Sequence, residues 1–405
     1  MIAAALIALF ALAQDWPQFR GPEGQGHSAV KALPVKWTET SENVTWRIPI
    51  DGLGWSSPVI AGDRLWLTTA TEGGKSLRAL CLETKTGKTI HNVEVFRLDA
   101  APGIHKKNSH ASPTPILDGD RVYVHFGSNG TACLSDKGQI VWKKVLKYSP
   151  VHGSGGSPAL HGDLLVVACD GGDTQSVVAL DRKTGEQRWK TAREPSSEAK
   201  KFSFCTPLVI EVGKSAQVVV PAANGVSSYD PATGKPIWHV KYPGGYSVVP
   251  RPVYGNGLLF LSTGFDRPTV LAIRADGKGD VTDTHVAWKL ERNAPLEPSP
   301  LLVGEELYLV SSAGFASCID AKSMKVHWTE RLGGAHSASP LFAAGMIYIL
   351  SEDGATTVIK PGTTFTKVEK NQVKGRTFAS PVPIEGALFL RTETHLLRIE
   401  AEPRK

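Results

Sequence analysis

Several common signatures are missing from this sequence. Its five cysteines form no CxxC and no CxxCH, which excludes a dithiol redox motif and covalently attached haem. No basic run outgrows the pair Lys106 and Lys107, and a formal charge of +6 on 405 residues is small. A nucleic-acid partner is therefore not favoured. No apolar run approaches the roughly 20 residues needed to span a bilayer, so the mature chain should have no transmembrane span. Charge is not scarce either: 21% charged and 41% hydrophobic residues describe a folded, globular protein rather than a disordered one.

Turn formers are abundant, with 40 glycines and 27 prolines. Residues 157 to 189 show their use. A short apolar strand follows Ser157 and Pro158, a turn at Gly162 leads into LLVVAC, and a Gly-rich turn leads into SVVAL. A TG turn then precedes a strand ending in Trp189. Four strands joined by tight turns are marginal alone and must stack on copies of themselves.

The copies are marked by a Ser/Thr-Pro pair or a degenerate form of it. The prolines are Pro58, Pro113, Pro158, Pro207, Pro252, Pro300, Pro340 and Pro381, with spacings of 55, 45, 49, 45, 48, 40 and 41 residues. Eight such units predict an all-β, eight-bladed β-propeller of four-stranded antiparallel blades. The second strand of each unit is a near-continuous apolar run, as expected where neighbouring blades cover both faces. The fourth carries a recurring tryptophan (Trp142, Trp189, Trp238, Trp288, Trp328), read as an inter-blade wedge.

Cys81, Cys133 and Cys318 share one place on the third strand, where other units have Ala179, Ser228 or Ala272; this reads as a small buried slot. Cys169 and Cys205 both fall near strand ends on one face, which leaves both a disulfide and two free thiols open. The eighth unit lacks a fourth strand, and residues 43 to 49, with Trp46, have that strand's pattern. The N-terminal strand should therefore complete the last blade and close the ring. The propeller then spans 43–400, preceded by an extended segment, 14–42, anchored by Trp16 and Phe19. Residues 2 to 12 are apolar and end in a small-x-small pattern, so 1–13 reads as a signal peptide and the protein as periplasmic or secreted.

The blade text, SP…GDxVYV…G…ALDxKTGexxW, resembles the PQQ-like β-propeller repeat family. That family includes quinoprotein alcohol dehydrogenases and the propeller lipoprotein of the outer-membrane barrel assembly machinery. The opening WPQFRGPEGQG is also similar to a leader found in secreted members. The dehydrogenases carry adjacent cysteines beside the quinone, and a Glu, an Asn and an Asp that bind calcium and serve as base. This chain has no adjacent cysteines and no residues matching that set. It also lacks a cysteine after the apolar run to carry a lipid. The resemblance thus implies the fold, and points to the non-enzymatic side of the family.

In such a fold the loops entering the first strands share one face, at the mouth of the central channel. They bring together Trp55, His110, His152, Phe204, Tyr246, Glu297, His336 and Arg376, and the loop from Ala100 to His110 adds His105, Lys106 and Lys107. This is the expected ligand or partner face, the partner being an envelope or secreted protein or a glycan. No cofactor is expected, and the histidine spacing shows no metal pattern. The turn holding Asp170 and Asp173 lacks the oxygen spacing of a calcium loop. The alternative is a divergent quinoprotein with PQQ and calcium, or a metal-assisted oxidoreductase. In that case Glu297 is the candidate catalytic base and should lie near Arg376 and His110.

Overall fold

The computed structural model describes residues 15–193 and 200–401, so the signal-peptide assignment lies outside the described residues. Eight antiparallel sheets, each a blade, surround a central channel. Seven are built in chain order from inside to outside. In the eighth, the strand Val44–Pro49 pairs antiparallel with His395–Glu400. The expected closure by the N-terminal strand is thus what joins the two ends of the chain. One blade departs from four strands: Gly279–Asp280 pairs in parallel with Pro236–Lys241 and widens the fourth sheet to five.

The innermost strands show what the Ser/Thr-Pro pairs do. In seven of the eight blades the residue before the proline donates its N–H to the hydroxyl of the equivalent residue in the next blade; the exception is Thr206, whose neighbour Arg251 has no hydroxyl. Ser57 donates to Thr114 (3.0 Å), Thr114 to Ser157 (2.9 Å) and Ser157 to Thr206 (2.9 Å). Arg251 donates to Ser299, Ser299 to Ser339, Ser339 to Ser380, and Ser380 back to Ser57, all at 2.9–3.0 Å. Proline is tolerated next to them because it opens an edge strand, where its missing N–H breaks no ladder.

This ring corrects one marker. In the second blade the ring residue is Thr114, and Pro115, not Pro113, immediately precedes the first strand, Ile116–Asp118. The sequence offers two Ser/Thr-Pro pairs in succession there, and the first one belongs to the entering loop.

The outer strands show why the other repeated residues occur. In the third to sixth blades the fourth-strand tryptophan faces a small third-strand residue: Trp189 opposite Ala179, Trp238 opposite Ser228, Trp288 opposite Ala272, Trp328 opposite Cys318. Each of these indoles outside the fourth blade donates to a carbonyl in the turn between the third and fourth strands of the following blade: Trp142 to Arg182, Trp189 to Pro231, Trp288 to Ala321, Trp328 to Gly362, and Trp46 to Thr84. Trp238 instead donates to Gln217 of its own blade (2.8 Å), and the inserted strand Gly279–Asp280 lies beside it. All five cysteines are buried and free, so Cys169 and Cys205 remain unpaired thiols.

The segment before the closing strand runs across the face opposite the mouth. Trp16 exchanges backbone bonds with Ile60, Pro17 accepts from Leu117, Gly26 from Phe342, and Glu385 caps the N–H groups of Lys31 and Ala32. Trp16 is buried against the core; Phe19 is only half-buried, and its ring projects into the channel.

The ring makes a specific prediction. Ser57→Ala removes the acceptor for the buried Ser380 N–H and should lower stability by about 1–3 kcal/mol in denaturant unfolding. Ser57→Thr should restore most of it, since Thr114 and Thr206 fill equivalent places. The exposed Thr366→Ala should change stability by no more than about 0.5 kcal/mol.

Candidate functional site

The channel holds a cavity of about 590 Å³, opening at the face formed by the loops that enter the first strands. Its floor is the hydroxyl ring together with Phe19, so the N-terminal segment stoppers the channel from the far side. Its wall on one side is a chain of rings: His105 against His152 (5.2 Å between centroids), His152 against Phe202 (5.3 Å), then Phe202 against Phe204 and Tyr246, and Tyr246 against Phe265. On the other side Trp55 packs on Phe378 at 4.6 Å, and the Arg376 guanidinium lies 4.9 Å from the Phe378 ring.

Three of the cations at the mouth are paired with carboxylates. Lys107 lies 2.9 Å from Glu352 and 3.2 Å from Glu297. Burial works against its charge, but the bond to Glu352 and the field of Glu297 outweigh it and raise its pKa above the ordinary lysine value. Glu297 also accepts from Ser312, and Glu352 from Ser337. Arg376 pairs with Glu393 at 3.6 Å. Lys200 pairs with Asp266 at 2.9 Å and donates to the Tyr246 hydroxyl. His105 titrates below the usual histidine range, because of burial and then its neighbours His152, Lys106 and Lys107, so it is neutral at pH 7.

Of the residues expected here, Trp55, His105, Lys106, Lys107, His152, Phe204, Tyr246 and Glu297 line the same cavity, and Arg376 stacks on its rim. Two others do not line it. His110 bonds to the Pro102 carbonyl (2.8 Å) and packs under Gly74, and His336 is buried with its Nδ1 unpartnered. Glu297 is bound to Lys107 and Ser312, while Arg376 contacts Glu393 and the Lys106 carbonyl, so the three groups expected of a catalytic base do not assemble. Phe202, Phe378, Glu352 and the floor residue Phe19 were not anticipated. Phe202 and Phe378 sit in the same entering loops, near the marker prolines, and could have been read there.

Glu297, which lines the cavity, and Glu352 beside it are both held by Lys107. Among the described residues no group of three or more His, Cys, Asp or Glu side chains is arranged to hold a metal ion.

These features define the class, a closed eight-bladed propeller open at one face and stoppered at the other. The chain belongs to the PQQ-like β-propeller family: the family model described as outer membrane protein assembly factor BamB matches residues 25–154, 132–279 and 279–364. Among solved structures it is similar to BamB from Moraxella catarrhalis, with TM-score 0.61 and 13% identity over 87% of this chain and 98% of that one. It is also similar to the quinohemoprotein alcohol dehydrogenase of Comamonas testosteroni, with TM-score 0.70 and 12% identity over 98% and 82%. A europium-containing methanol dehydrogenase gives 0.63 and 11% over 94% and 90%. No curated protein sequence matches the chain. At these identities the structural likenesses carry the fold alone. Among the described residues no helix is long and apolar enough to cross a membrane.

Behind the aromatic wall, Asp170 is fully buried and 3.1 Å from Arg193, whose other nitrogen donates to the Val220 carbonyl. Asp173 accepts from the Ser149 N–H at 2.7 Å. Burial pushes the Asp170 carboxyl up to about 6, against the pull of Arg193. Arg193→Met leaves that carboxylate unpaired. Its folded pKa then rises further above the unfolded value of about 3.9, so stability falls as pH rises through that window. The expected loss is about 3–5 kcal/mol near pH 7.5 and distinctly less near pH 5, measured by urea unfolding. Adding Asp170→Asn should restore part of it near pH 7.5.

Proposed function

We propose that this protein is an extracytoplasmic binding or scaffolding propeller, and that its channel mouth receives a segment of an envelope or secreted protein, or a glycan. The observation that carries this reading is the blind cavity, walled by two aromatic clusters and closed by Phe19. A cavity of about 590 Å³ is in the range of pockets that bury a compact ligand. Aromatic faces take sugar rings and apolar side chains at low entropic cost. With Lys107, Arg376 and Lys200 already paired to carboxylates, stacking rather than net charge would select the ligand.

A photoreactive phenylalanine analogue at Phe265, which is exposed at the rim, tests this in cells producing the full chain. The expected result is one discrete cross-linked product, lost on Tyr246→Ala or Phe202→Ala. If a glycan is the ligand, no protein product forms and a glycan array binds the purified protein, about tenfold or more weaker with the same substitutions. Saturable binding of pyrroloquinoline quinone in calcium buffer, with neither of the other results, would replace this reading with the quinoprotein one.

A further inference from the structure

Below the floor of the mouth cavity lies a second, closed one of about 10 Å³. Trp16, Arg20, Gly26 and the ring residues Ser57, Ser339 and Ser380 line it. Space of that size admits one water-sized particle. Arg20 is only 2% exposed. One nitrogen, Nη2, donates to the Gln25 carbonyl at 2.8 Å, but Nε and Nη1 have no partner. Arg251, equally buried, lies close by and donates to the carbonyls of Pro207 and Phe19. Among the described residues no carboxylate is paired with either guanidinium. Burial, then the neighbouring Arg251, pushes Arg20 down to about 9, and burial pushes Arg251 down to about 10, so both carry charge at neutral pH.

The chain is shaped around these two groups. A Cβ on Gly24 would sit 2.2 Å from Arg251 Nη1, and one on Gly26 would sit 2.5 Å from Arg20 Nη2. Only glycine lets the backbone pass so close. Buried positive charge without a counter-charge is costly, and Arg cannot shed it readily.

The polar side chains facing the cavity are donors. The hydroxyls of Ser57 and Ser380 each accept a ring N–H, so each has a proton left to give; Ser339 donates to Ser299. The Pro340 carbonyl also lines the cavity, beside Arg20, but it carries no net charge; a halide accepts from every donor there and brings the counter-charge that a water molecule lacks. We propose that this closed cavity binds one small inorganic anion of halide size, held by Arg20 Nε and Nη1 and the hydroxyls of Ser57 and Ser380. The anion supplies the missing counter-charge and fastens the N-terminal segment to the ring. The site is independent of whatever the mouth receives.

The test uses the purified full-length chain. Thermal unfolding is followed as sodium chloride or bromide replaces sodium gluconate at constant ionic strength. Binding to the folded state alone should give a saturable rise in Tm of roughly 2–4 °C. Arg20→Gln, which removes the charge and leaves only a shorter side-chain donor, should abolish that rise. Crystals soaked in bromide should show one anomalous peak within hydrogen-bonding distance of Arg20. This peak decides the matter if the variant does not fold. Equal Tm values in chloride and gluconate, or a bromide map with no peak at Arg20, overturn the proposal.

Discussion

The structure depends on a single repeated bond, the N–H to hydroxyl link between the residues that precede each inner-strand proline. In a propeller the innermost strand of every blade is a sheet edge, and all the edges face one axis. An unpaired edge donor buried there costs free energy. A residue that carries both an N–H and a hydroxyl can donate to one neighbour and accept from the other, so the pattern runs from blade to blade around the axis. The circle fixes the spacing of the blades at the axis and supplies the floor of the mouth cavity.

The circle has one gap, and the gap has a use. At Arg251 there is no hydroxyl to accept from Thr206. The guanidinium instead reaches the Pro207 carbonyl in the same neighbouring blade, and then the Phe19 carbonyl. The departure from the repeat therefore recruits the N-terminal segment, which places Phe19 under the channel. The same chain end then supplies Trp46, whose indole reaches the turn at Thr84 and ties the last blade to the first. Stoppering the channel and closing the ring are two contacts of one continuous stretch.

Repetition decided what could be read from the sequence. The tryptophans, the small residues opposite them and the missing fourth strand of the eighth unit recur at matched places, so each copy interprets the others. Cys133, puzzling alone, is explained by Ala179 and Ser228 at the same position. The second marker was misplaced because Ser112–Pro113 and Thr114–Pro115 carry the same local signal, and only the hydrogen-bonded ring separates them. The site was less legible for the opposite reason. Lys107 comes from a loop found in one blade, and its partners Glu297 and Glu352 come from two others far along the chain. No period links them. His110 and His336 show the limit of counting back from the markers, since an entering loop can turn a side chain under its neighbours as easily as into the channel.

The distribution of charge along the channel axis follows from these placements. At the mouth, Lys107, Arg376 and Lys200 each have a carboxylate within 4 Å, and their fields largely cancel a short distance away. At the base, Arg20 and Arg251 have only carbonyls for partners, and among the described residues no carboxylate pairs with either. The two ends of one channel thus present different chemistry. The upper end offers ring faces and compensated charge in contact with solvent, suited to a partner that must come and go. The lower end offers uncompensated charge sealed under Phe19 and the hydroxyl ring, where an occupant is held as part of the fold.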